Sequence, residues 1–173
     1  MKKQKNTDGF ASEKELKDWL LNHKINFSLW DCNSAKSVQN LFKEIIEGDC
    51  FIQKEPPLRI INVVQVLVFR EGLILTELEQ EMDDFRRRKR NIPPSEKMKP
   101  GEDFRQAAIR CLQEELQISE DRITVLTKDC SPVVRYRHSR SYPGLRSKYY
   151  IYRVHADVRS EERRVGKECR SRW

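Results

Sequence analysis

The chain has 173 residues, 34 Lys and Arg against 27 Asp and Glu, a net charge of +7, and 38% hydrophobic and 35% charged residues, which bounds it to one domain or a domain plus an extension. Collagen-like and mucin-like classes are excluded, and the longest apolar run, around Val63 to Phe69, is broken by Gln65 and falls short of the roughly 20 residues a membrane helix needs. The basic start Met1-Lys2-Lys3-Gln4-Lys5 leads into Asn6-Thr7-Asp8-Gly9 instead of an apolar stretch, and the five cysteines are scattered without a Cys-x-x-Cys spacing, so an intracellular, cytoplasmic protein with reduced thiols is expected.

Ser12-Glu13-Lys14-Glu15 is a capping-box pattern, and Leu16, Trp19, Leu20 and His23 follow at helical spacing. A second helix is predicted where Val38, Leu41, Phe42, Ile45 and Ile46 repeat, with Asn33 or Ser34 as its cap and Gly48 as its left-handed stop. Pro56-Pro57 then breaks the chain. Leu58 to Phe69, the turn pair Glu71-Gly72, and Leu73 to about Met82 read as a long hairpin. Between Asp83 and Asp103 charge and proline dominate, including Arg86-Arg87-Arg88-Lys89-Arg90 and Pro93-Pro94, and an exposed loop is expected. Phe104 to Leu116 is helical, with Phe104, Ala107, Ala108, Cys111, Leu112 and Leu116 on one side. Ile123 to Leu126, Val133 to His138 and Tyr149 to Val158 read as strands, the last two separated by a turn at Tyr142-Pro143-Gly144. Helices before a hairpin, then a helix among strands, predict a mixed α+β domain.

Arg159 to Trp173 has no apolar period and resembles, residue for residue, the in-frame translation of a sequencing-adapter oligonucleotide. A natural basic tail is the competing reading. Setting it aside leaves 28 basic and 24 acidic residues, a net charge of +4, and predicts a natural protein that continued past Val158.

Pro100-Gly101-Glu102 followed by Ala107 to Ile118 resembles a Nudix box. The family's motif is a Gly, five residues, a Glu, seven residues, then Arg-Glu-apolar-any-Glu-Glu-any-Gly-apolar. Glu102 takes the first Glu, Arg110 the Arg, Leu112 the apolar site, Glu114 and Glu115 the paired carboxylates and Ile118 the final apolar site. Three positions depart: Glu96 replaces the first Gly, Cys111 the Glu after the Arg, and Gln117 the closing Gly. The resemblance implies an α/β/α sandwich over 58–158, incomplete at its carboxyl end, with 1–57 as an amino-terminal helical extension. It also implies magnesium or manganese held by Glu114 and Glu115, Glu102 assisting, Arg110 orienting the carboxylates, and water attacking a nucleoside diphosphate linked to another group.

The spacing has a physical rationale of its own. Positions 111, 114 and 115 stand at i, i+3 and i+4, on one helical face, and carboxylates there would suit a hard cation and substrate phosphate oxygens. Cys111 is a soft ligand and no carboxylate base; its helix position equally suits a small core residue. In the competing reading Glu114 pairs with Arg110 on a solvated face and Glu115 is surface charge. The alternatives in function are a non-catalytic nucleotide- or protein-binding module, and a basic RNA-binding protein using Arg86 to Arg90 and the Tyr136 strand, where Arg135-Tyr136-Arg137 interleaves base and aromatic.

Overall fold

The computed structural model describes residues 9–32, 35–81 and 87–159, with side chains left out at 79–81 and 87–90. Helix α1, Glu13–Asn22, begins as its sequence predicts: the Ser12 hydroxyl accepts from the Glu15 amide at 3.2 Å, while the Glu15 carboxylate accepts from the Ala11 amide at 2.8 Å. Helix α2, Val38–Ile46, is capped by Ser37 and not by Asn33 or Ser34, which lie outside the described residues. Ser37 wins because Asn40, at the third helical position, reciprocates: the Ser37 hydroxyl takes the Asn40 amide and the Asn40 side chain takes the Ser37 amide. Gly48 ends the segment at φ 76°, in the left-handed region.

Strand β1, Phe51–Gln53, turns at Pro56-Pro57 into β2, Leu58–Arg70; this short strand escaped the sequence reading because its apolar content is only Phe51 and Ile52. The expected long hairpin is reduced to β3, Leu73–Ile74, which pairs with β2 only at Phe69↔Ile74 and Arg70↔Leu73. The chain then leaves to form β4, Glu77–Glu81, against β5, Arg87–Ile92. That ladder sets Glu79 opposite Lys89 and Glu81 opposite Arg87. The expected loop from Asp83 therefore contains β5 and then β6, Ser95–Lys97, which occupies the free edge of β2 at Val63 to Gln65. After α3, Phe104–Leu116, and a 3₁₀ turn at Glu120–Arg122, come β7, Ile123–Val125, β8, Val133–His138, and β9, Arg146–Val158.

The two long strands form the spine. β2 and β9 run parallel from Arg59↔Ser147 to Val68↔Ala156; β1, β6 and β3 fill the outer edge of β2, and β8 and β7 the outer edge of β9. Because side chains alternate along a strand, the spine feeds two cores. Val64, Val66, Val154 and Ala156 pack under Ala107, Ala108, Cys111 and Leu112 of α3. On the other face Ile61, with Val63 and Tyr149, meets Leu16, Trp19 and Leu20 of α1, Leu41 of α2, and Trp30, Tyr142 and Leu145. Helices thus lie on both faces of a mixed sheet. Among the described residues no helix is long and apolar enough to cross a membrane.

Candidate functional site

The site is assembled around the amino end of α3. After β6 the chain tightens at Lys99-Pro100-Gly101-Glu102: the Glu102 amide donates to the Lys99 carbonyl at 3.1 Å, and the Lys99 amide donates to the Glu102 carboxylate at 2.8 Å. Gly101 sits at φ 79°, a conformation the bend needs and a side chain resists. Asp103 then caps α3, accepting from the Arg105 and Gln106 amides at 2.8 and 2.9 Å, while Gln106 returns the contact to the Asp103 amide. The Ala107-Ala108 pair, both fully buried, lets the helix approach the sheet closely.

Arg110 is the hub. Its Nε and Nη2 donate to the two oxygens of Glu102 at 2.8 and 3.0 Å, its Nη1 to Glu114 at 2.9 Å, and its Nη2 also to the Lys97 carbonyl at 2.7 Å. Such a forked pair fixes both partners. The Arg110 hydrogen bonds hold the Glu102 carboxyl below its ordinary range, and the Glu102 carboxylate in turn raises Arg110. Glu114 remains half exposed, with the Lys99 ammonium 4.0 Å away. The Lys97 carbonyl is a partner the sequence could not reveal, since a main-chain oxygen carries no residue signature.

Glu102, Arg110 and Glu114 are therefore brought together. Cys111 is fully buried against the sheet, while Glu114 and Glu115 are exposed. Burial, reinforced by the charges of Glu115, Glu96 and Glu77, pushes the Cys111 thiol up to about 12, so it stays protonated and behaves as a small core residue. Among the described residues no group of three or more His, Cys, Asp and Glu side chains is arranged to hold a metal ion.

The NUDIX domain family model matches residues 59–173. The chain belongs to the Nudix family. No curated protein matches it. Among the solved structures that resemble it are the Caenorhabditis elegans Ap4A hydrolase, at 23% identity over 56% of this chain and 69% of that one, TM-score 0.31; the Nudix hydrolase RenU of Mycobacterium smegmatis, at 16% over 58% and 62%, TM-score 0.37; and the Escherichia coli ORF135 protein, at 22% over 60% and 68%, TM-score 0.37. Within this Nudix chain, α3 carries the residues that resemble the box, and Lys99 to Asp103 form the loop that precedes it.

The remaining expected residues are dispersed. Arg86 lies outside the described residues, and of Arg87 to Arg90 only the backbone, in β5, is described. Tyr136 is exposed on β8 with the Lys148 ammonium 5.7 Å from its ring centre. His23 rims α1, with Nδ1 at 2.8 Å from the Trp19 carbonyl and Nε2 at 3.0 Å from Glu55; His155 stacks on Phe69. Trp19 and Trp30 are both buried.

Proposed function

We propose that this Nudix chain binds a nucleoside diphosphate linked to another group and hydrolyses its phosphoanhydride at a rate held down by Cys111. The observation that carries the reading is the paired state of the box: Glu102 is locked by Arg110, Glu114 rests on the same guanidinium, and the position where the family's motif has its helix acid holds a buried, protonated thiol. Glu114 and Glu115 are hard oxygen donors, and magnesium or manganese is characteristically held by one or two carboxylates with substrate phosphates completing the sphere; the thiol offers nothing to such an ion. The donor set fits a divalent cation that arrives with its substrate. Bound there, the ion would neutralise charge on the diphosphate and acidify an attacking water.

The chain's own residues have separate tasks. Arg110 fixes Glu102 and restrains Glu114, so that the carboxylate edge of α3 is set before a ligand arrives. Lys99 adds positive charge at the loop where phosphate oxygens would lie. A side chain able to accept the proton of water is what Cys111 fails to provide, and a positioned base is worth about 10²–10⁴ in rate.

The test is magnesium- or manganese-dependent release of a mononucleotide from a panel of nucleoside diphosphate derivatives. Weak turnover is expected, abolished by Glu115→Gln and raised at least about tenfold by Cys111→Glu. Turnover unchanged by Glu115→Gln would exclude this assignment. Substrate-dependent thermal stabilisation without product in both the parent and Cys111→Glu would instead identify a binding module.

A further inference from the structure

The strand residues that alternate with those beneath α3 line the opposite face of the sheet. One half of that face is roofed by α1 and α2 through Ile61, Val63 and Tyr149. In the other half, Gln65, Leu67, Arg135, Arg137, Ile151 and Arg153 line an open cleft of about 610 Å³. Arg135, Arg137 and Arg153 are all exposed, and among the described residues none of their guanidinium groups is paired with a carboxylate. Arg135 and Arg137 stand two residues apart on one side of β8, roughly 6.6 Å along the strand. Leu67 and Ile151 give the cleft an apolar floor, and half-buried Gln65 brings an amide to it. Farther along the same two strands, Phe69 is 50% exposed and stacks on His155 with ring centres 5.6 Å apart and planes 15° from parallel.

We propose that this face is a second binding site, for single-stranded nucleic acid. Three guanidinium groups that meet no carboxylate among the described residues supply a phosphate-binding surface. The apolar floor and the exposed Phe69 ring supply planes on which bases stack, and the Gln65 amide can donate to or accept from a base edge. The features run along the strands: Gln65 and Phe69 are about 13 Å apart on β2, a run that a chain of nucleotides covers and a lone phosphate does not. A duplex would keep its base faces from both the floor and the ring, so the surface selects single strands. The site lies on the face turned away from α3 and stands whether or not the box helix is catalytic.

The experiment is fluorescence anisotropy of the full chain with labelled oligouridine and oligothymidine of about twelve nucleotides, a length that covers a typical single-strand site, over a range of salt. Both strands are expected to bind. Arg135→Gln, Arg137→Gln and Arg153→Gln together should weaken binding at least about tenfold and reduce the slope of log affinity against log salt by about 2, since each single-strand phosphate contact contributes roughly 0.7. Phe69→Ala should weaken binding about fivefold or more. If the triple variant does not fold, as read by thermal unfolding, Arg153→Gln and Phe69→Ala taken singly carry the test, each with a loss of at least about threefold. Affinity unchanged in these variants, no binding at low salt, equal affinity for duplex, or full displacement by an equal phosphate concentration of uridine monophosphate would each overturn the proposal.

Discussion

Gln117 shows how a single position records a family requirement. It closes α3 at φ 54°, in the left-handed region, with its amide donating to the Gln113 carbonyl at 3.0 Å. A residue with a Cβ resists that conformation, which is why a helix so often ends on Gly there. Gln117→Gly should therefore stabilise the fold by about 0.5–1 kcal/mol and raise Tm by about 2–4 °C; a fall in Tm would show that the Gln side chain makes a compensating contact. Cys111 is the contrasting case. Its neighbours in the sequence predict a metal-binding face, yet Cys111 points into the core because the helix must bury the Ala107, Ala108, Cys111 and Leu112 side to pack at all. Glu114 was legible as a partner of Arg110 from spacing alone, and the ion pair is present; the contact with the Lys97 carbonyl was not, because it depends on where the loop returns.

Among the elements, α2 is tied to the sheet by charge as well as by apolar contact. Glu44 is buried and meets Arg59 of β2, with Lys36 at 2.8 Å and Lys97 at 3.4 Å. Burial alone would raise its carboxyl, but Arg59, Lys36 and Lys97 outweigh it and hold the group at about 2. A folded pKa below the unfolded value of about 4.5 means that this stabilisation is complete above the unfolded pKa and is lost as pH falls through the folded one. Stability should thus drop between about pH 5 and pH 2. Glu44→Gln should cost about 3–5 kcal/mol at neutral pH, because it strands the Arg59 charge in the interior, and should flatten that acid limb. An acid titration with the same slope in parent and variant would assign the limb to other carboxylates. The sequence placed Val38, Leu41, Phe42, Ile45 and Ile46 on one side of α2 by period, of which Ile46 is exposed; it held no reason to put Glu44 beside Arg59, fifteen positions away and on another element.

Across the whole molecule, the amino-terminal segment reaches the box loop. At Gly48 a Cβ would lie 2.2 Å from Pro100 Cγ, and Lys97 joins Asp49 at 3.0 Å while its carbonyl receives Arg110. The turn after α2 thus packs on the loop that leads into α3. Gly48→Ala should cost about 1–3 kcal/mol in denaturant unfolding, from both the clash and the positive φ; an unaltered midpoint would show that the two segments are not in contact. This packing also explains how each strand edge is used. β2 has three partners along one side because β1, β6 and β3 each pair over two or three residues, and none of those strands is long enough to display a period.

Local chemistry settled the helices: capping residues and the 3.6-residue period at Glu13–Asn22, Val38–Ile46 and Phe104–Leu116 are written within each segment and need no distant partner. The box was legible for the same reason, since Glu102, Arg110, Glu114 and Glu115 are fixed by spacing along one loop and one helix. Strand partners, the burial of Cys111, the Glu44–Arg59 pair and the arginine-lined face were decided only when β2 and β9 met in parallel. Pairing energy and burial belong to two segments at once, and neither segment carries the identity of the other.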